Sequence, residues 1–268
     1  MSDSEDTDPF PFQRNSNGAG SGIRLTQSIK KEAAPSQPLS MRRLMGRLAE
    51  PHSHAQVASI AFALGGMCGA GFLYAGLAEH WRHAGLYLGL LSIFHLLEYL
   101  TTAMHRPDVG MNAFMLNHSR EYHIALSFGL IEYFVEAALF PTWKQFGYWN
   151  IVGAVLVLFF QFLRSLAMLT AGANFTHLIS FRKERSHVLV TDGIYRYLRH
   201  PAYTSFFYYG PCLQLGVLMN PVAFVANVIV LHRFFKNRIE VEESLLVDFF
   251  GPEYEDYRTK SWVLIPGL

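Results

Sequence analysis

From about residue 57 the chain alternates between long apolar blocks and short polar breaks. Six blocks are long enough to approach or cross a hydrocarbon core of roughly 30 Å. They fall near 57–78, 85–104, 122–140, 148–170, 201–219 and 221–236. Lipid offers no partner for an unpaired backbone group, so such blocks predict helices. The first is rich in small residues (Gly65, Gly66, Gly69, Gly71), which predicts close helix packing. Glu132 and Glu136 interrupt the third. Met219-Asn220-Pro221 is a tight break, so the last two spans are expected to form a hairpin.

The ends read differently. Residues 1–50 are rich in Ser, Asn, Gly, Gln and Pro without an apolar period, which predicts a disordered tail. Its basic end, 41–48, reads either as a juxtamembrane flank or as a segment on the membrane surface. The opening is acidic (Asp3, Glu5, Asp6, Asp8), unlike a cleavable signal peptide. At the other end, 237–260 is charged but keeps Val241, Leu245, Leu246 and Phe249 at near-helical spacing. It is expected to continue out of the sixth span as a helix against the membrane-proximal surface. Gly251-Pro252 breaks it, and a further short helix follows.

Composition agrees with this picture. Hydrophobic residues make up 51% and charged residues 16%, against about a quarter charged in a soluble domain. A net charge of +1 gives no bulk attraction for nucleic acid. Cys68 and Cys212 both lie in apolar blocks, which predicts buried free thiols rather than a disulfide or a Cys metal site. The histidines form no dense cluster, so no metal is expected. Lys and Arg concentrate in alternate loops: Arg42, Arg43 and Arg47, then Arg106 and Arg120, then Arg182 to Arg199, then Arg238 onwards. By the positive-inside rule both termini face the cytosol.

Charged groups inside a bilayer are costly and mark function or helix pairing. Glu98, Glu132, Glu136 and Arg164 are such groups, and either role fits each. The polar, basic, aromatic loop 171–200 leads into Pro201, a residue suited to a helix's first turn. His200 stands at that helix start, where free N–H groups can hold an anion. A short element is expected from Tyr195 to His200. An ordinary proline-capped helix start fits equally well. Arg238 and Glu242 stand four apart on one helix face, with Glu243 beside them. They read either as a surface ion pair or as a clamp for an anion above a carboxylate.

Five strings carry a resemblance: SIFHLLEYL (92–100), FMLNHSREY (114–122), AMLTAGANFTHLI (167–179), SHVLVTDGIYRYLRHPAY (186–203) and RFFKNRIEVEESLLVDFFGPEYEDY (233–257). From about Leu91 to its end the chain resembles the isoprenylcysteine carboxyl methyltransferases. The resemblance implies an all-α polytopic membrane protein with about six transmembrane helices, a cytosolic cofactor-binding region at 171–200 and C-terminal helices. It implies residence in the endoplasmic reticulum membrane. S-adenosylmethionine would be held by Ser180, His187, Val188, Leu189, Val190, Tyr195, His200, Pro201, Ala202, Tyr203 and Glu242, with Ser180 giving backbone contacts. Arg238 would hold the substrate carboxylate. The implied partners are C-terminally prenylated proteins, such as Ras- or Rho-like GTPases or prenylated peptides, and membrane lipid.

The implied reaction needs no general base, because a C-terminal carboxylate is already ionised at pH 7. Two rivals stand beside it. A phospholipid N-methyltransferase, or a reductase using the same pocket, would keep the RHP…Y and R-x-x-x-E pattern. A scaffold or transporter would bind no cofactor, and transport would be favoured by an internal repeat, of which there is no clear sign.

Overall fold

The computed structural model describes residues 53–106, 109–185 and 187–268. The expected tail at 1–50, with its basic end, lies outside them.

The described chain is a helical bundle. Helix α1 (His54–Leu77) starts where Ser53 Oγ accepts from the Gln56 N–H at 3.1 Å. Helix α2 (Arg82–Ala103) follows a turn in which Trp81 takes a left-handed φ of 57°. Helix α3 (Arg120–Leu139) is capped by Ser119, and α4 (Tyr148–Ala171) by Asn150 Oδ1, which accepts from the Gly147 N–H at 2.9 Å. Helix α5 (Pro201–Pro211) runs directly into a π-helical segment, Cys212–Leu218. Helix α6 is one uninterrupted element, Pro221–Phe250, and α7 spans Pro252–Lys260.

Four of these helices are long and apolar enough to cross a membrane: α1, α2, α3, and α4 with the short turn after it. The other two expected spans look different. The fifth changes helical type at Pro211, whose ring nitrogen cannot donate to a preceding carbonyl. The sixth is the first half of a 30-residue helix whose second half is charged. The break between them is as expected, with Met219 at φ 58°.

The glycine-rich face of α1 corrects one expectation. A Cβ on Gly71 would lie 2.7 Å from the Gly85 carbonyl oxygen, so α1 and α2 touch backbone to backbone there. Gly65, Gly66 and Gly69 meet nothing, because α1 packs chiefly on α2 and they face away. A second such contact joins Gly153 of α4 to Gly216 of the π segment. Cys68 and Cys212 are free thiols, as expected, but half-buried rather than fully so.

Leu86, Leu90, Phe94, Tyr133, Val157, Tyr209, Leu213 and Val217 form the main core between α2, α3, α4 and α5. A second cluster, Phe207, Phe235, Ile239, Val263 and Ile265, ties the C-terminal strand-like tail to α5 and α6. At one end of the bundle the intramembrane charges find partners. Lys144 bonds Glu136 at 2.7 Å and the Leu218 and Met219 carbonyls at 2.8 Å. Glu132 accepts from the Val222 and Ala223 N–H groups at 2.7 and 2.6 Å, capping the start of α6. Both carboxylates are structural. The opposite end of the bundle holds the site.

Candidate active site

After Ala171 the chain leaves α4 through Gly172, at φ 56°, and crosses the end of the bundle. A short 3-10 turn, Gly193–Arg196, precedes α5. It begins earlier than the expected Tyr195–His200 element, because Gly193 supplies the positive φ that opens it. The tail and α7 brace this crossing. Leu198 forms a bridge with Trp262, the Arg199 N–H donates to the Trp262 carbonyl at 3.0 Å, and Tyr257 Oη donates to the Tyr195 carbonyl at 2.7 Å.

Two cavities adjoin there. The larger, about 170 Å³, lies between the 174–190 crossing, the first turn of α5 and the far half of α6. The smaller, about 60 Å³, is narrow and aromatic, lined by Phe94, Tyr122, Phe206, Phe234 and Phe235 with Arg164, His118, His177 and Arg238. Phe175, Thr176 and Tyr203 line both. Ser180, His187, Val188, Leu189, Val190, Tyr195, His200, Pro201, Ala202, Tyr203 and Glu242 all line the larger cavity, and Arg238 lines the smaller.

Tyr203 joins the two spaces. Its hydroxyl donates to Glu242 Oε2 at 2.5 Å and accepts from Arg238 Nε at 2.8 Å. Arg238 and Glu242 thus make no direct ion pair, because a phenol stands between the two charges. Arg238 Nη2 donates to the His177 carbonyl at 2.7 Å, and its guanidinium lies over the Tyr203 ring at 5.1 Å. Both hydrogen-bond partners are neutral. Nη1 has no partner among the described residues.

Arg164, the other guanidinium on the small cavity, is already neutralised. It grips Glu98 with two bonds, Nε to Oε1 at 2.6 Å and Nη2 to Oε2 at 2.8 Å, and Glu98 is fully buried. Its Nη1 donates to the Ala202 carbonyl at 3.0 Å, fixing the first turn of α5. The pair therefore supports the site and leaves little net charge in it.

The anion beside His200 in this structure is one of the chain's own carboxylates. Its Nε2 sits 3.3 Å from Glu243 Oε1, and its ring stacks on Tyr203 at 5.5 Å. Arg199 Nε also reaches Glu243, at 2.8 Å. Burial pushes the Glu243 carboxyl up, but hydrogen bonds from His200 and Arg199 and their charge outweigh this, bringing it down to about 2. In the small cavity burial pushes the His177 imidazole down to about 4. Glu98 opposes this, while Arg164, His118 and Arg238 add to it. His118 is lowered by burial and by Arg164 and Arg238. Both shifts favour the neutral imidazole.

Some wall residues were not read as site residues from the sequence. Leu245, Leu246 and Phe249, expected to face the membrane surface, line the larger cavity instead, because α6 lies beneath the 174–190 crossing. Tyr254 and Tyr257 of α7 also line it and are buried. Two aromatics three apart in an otherwise charged helix were the available signal. Asn174 was missed; its Oδ1 accepts from the Val188 N–H at 3.0 Å.

Comparison with known proteins agrees with this arrangement. A model of the isoprenylcysteine carboxyl methyltransferase family matches residues 152–248. A protein-S-isoprenylcysteine O-methyltransferase of Dictyostelium discoideum is 44% identical over 188 residues, covering 70% of this chain and 78% of the relative. The chain belongs to the isoprenylcysteine carboxyl methyltransferase family. Relatives of the same description from Saccharomyces cerevisiae and Homo sapiens are each 39% identical, covering 79% and 76% of this chain and 90% and 72% of their own lengths. A solved structure of a eukaryotic intramembrane Ras methyltransferase of this family superposes with a TM-score of 0.74 at 35% identity, covering 76% of this chain and 74% of that one. In this member of the isoprenylcysteine carboxyl methyltransferase family, a multi-pass membrane protein, the matched segment runs from α4 through most of α6. It carries Arg164, His177, Tyr203, Arg238 and Glu242, while Glu98 comes from α2, outside it.

Proposed function

We propose that this protein transfers a methyl group from S-adenosylmethionine to the C-terminal carboxylate of S-prenylated cysteine. The acceptors would be prenylated proteins of the Ras and Rho type or prenylated peptides. The enzyme would act in the endoplasmic reticulum membrane with both termini in the cytosol, which the basic alternate loops support. One observation carries the reading. Arg238, whose hydrogen-bond partners among the described residues are neutral, faces a narrow aromatic cavity and is joined through one hydroxyl to the carboxylate of the larger cavity.

The larger cavity fits a nucleoside that bears an amino acid. Glu242 offers a carboxylate to an ammonium group. The Leu189 and Val190 N–H groups make no hydrogen bond among the described residues, so they are free to meet ligand acceptors. Tyr254 Oη, in the same wall, is buried without a partner among the described residues. Leu246, Phe249 and Tyr195 supply apolar surface for a base. Bound there, S-adenosylmethionine would supply a sulfonium-activated methyl group.

The chain's own residues then have three tasks. Arg238 holds the carboxylate, with a planar fork suited to two oxygens. The aromatic walls accept the prenyl chain, which gains about 0.8 kcal/mol per buried CH₂ on leaving water. Phe175, Thr176 and Tyr203 set the boundary at which the two ligands meet, so rate comes from orientation. No imidazole needs to take a proton. An amine acceptor suits the small cavity poorly, because Arg238 presents there a positive charge that Glu242 meets only through the Tyr203 hydroxyl.

Incubating the purified chain with radiolabelled S-adenosylmethionine and N-acetyl-S-farnesylcysteine tests this reading. Label should appear as a base-labile ester. Absence of ester from protein that binds both compounds would refute it.

A further inference from the structure

Tyr203 is, among the described residues, the side chain whose polar atom contacts both Arg238 and Glu242. Its ring is clamped between His200, stacked at 5.5 Å and 3°, and Phe235, stacked at 5.2 Å and 26°. His200 is itself held by Glu243. The hydroxyl therefore cannot follow one charge without giving up the other.

We propose that Tyr203 is a positioning residue that couples the two cavities, so that a cation placed on Glu242 strengthens the hold of Arg238 on an anion. This rests on the functional reading above, in which the cation is the cofactor's ammonium and the anion the prenylcysteine carboxylate. With Glu242 bare, the carboxylate draws the phenolic hydrogen and leaves the phenol oxygen electron-rich. Linked hydrogen bonds polarise one another, so that oxygen binds Arg238 Nε firmly. The field of Glu242 also offsets the charge of Arg238. A cationic ligand on Glu242 relaxes both effects. Arg238 is then freer to give its N–H groups to a carboxylate. Linkage makes the coupling reciprocal, so each ligand tightens the other by the same factor.

The test measures binding, not turnover. In the detergent-solubilised full chain, S-adenosylhomocysteine is titrated with and without saturating N-acetyl-S-farnesylcysteine, and the reverse. Each ligand should tighten the other by about five-fold or more. Tyr203→Phe keeps the ring and its stacking but removes the hydroxyl. It should bring that factor towards one while both ligands still bind. A merely structural role would weaken either ligand alone and leave the factor unchanged. Glu242→Gln removes the charge, and without nucleoside it should tighten prenylcysteine binding several-fold while weakening S-adenosylhomocysteine. An uncoupled wild type, or an unchanged factor in Tyr203→Phe, overturns the proposal. If Tyr203→Phe does not fold, Glu242→Gln decides, and no gain in prenylcysteine affinity overturns it. Failure of the wild type to bind either ligand would instead overturn the functional reading.

Discussion

Two guanidiniums reach the same narrow cavity, and they differ in what they already hold. Arg164 is buried with a bidentate carboxylate partner, Glu98, and a carbonyl, Ala202. Arg238 holds, among the described residues, a phenol and a carbonyl. A buried charge must be paired or hydrogen-bonded to be tolerated. The first is complete within the protein and fastens α2 and α4 to the start of α5. The second keeps room for an anion, since its Nη1 has no partner among the described residues. Proximity to a cavity is therefore a poorer guide to function than the balance of charge around each group.

That contrast can be broken in three ways. The largest effect is expected from Arg164→Leu, which strands Glu98 in the core and should cost about 3–5 kcal/mol of stability. Replacing both partners by Leu should recover most of this, read as the unfolding midpoint in detergent. A single variant as stable as the wild type would mean the pair is not structural. Next, Arg238→Ala should lower kcat/KM for prenylcysteine by about 10²–10³, as loss of a charged donor at a reacting group does. Its melting temperature should stay near that of the wild type. Near-normal turnover would remove Arg238 from the site.

The smallest effect concerns Glu243, the carboxylate that serves Arg199 and His200. Its folded value lies near 2, below the ordinary 4.5. Its stabilisation is therefore full above about pH 4.5 and is lost as pH falls towards 2. Melting temperature should decline across that window, and Glu243→Gln should flatten the decline by a few degrees. An identical pH dependence in the variant would count against the clamp.

The sequence was informative where period and spacing are local. The helices, the Met219-Asn220 break and the shared face of Arg238 and Glu242 follow from residues near one another in the chain. The lining of the larger cavity was legible only through resemblance, since nothing in the spacing of Ser180, His187 and Tyr195 requires one cavity. Pairings across the bundle were not legible. Glu98 could have paired with any cation at its depth, and only the packing of α2 on α4 selects Arg164. The Tyr203 bridge was hidden for the same reason, because it depends on how α5 leans on α6. The switch of α5 to a π-helix after Pro211 has no period that a reading of apolar positions would detect.

One dimension of α6 has a bearing on how substrate and enzyme meet. A helix of 30 residues is about 45 Å long, whereas the hydrocarbon core is about 30 Å thick. Arg238 lies about 26 Å along it from Pro221. A lipidated cysteine resting in the leaflet keeps its tail in oil and its carboxylate at the polar border. A helix of this reach can carry its guanidinium to such a border, so that a lipidated terminus would meet it without leaving the leaflet.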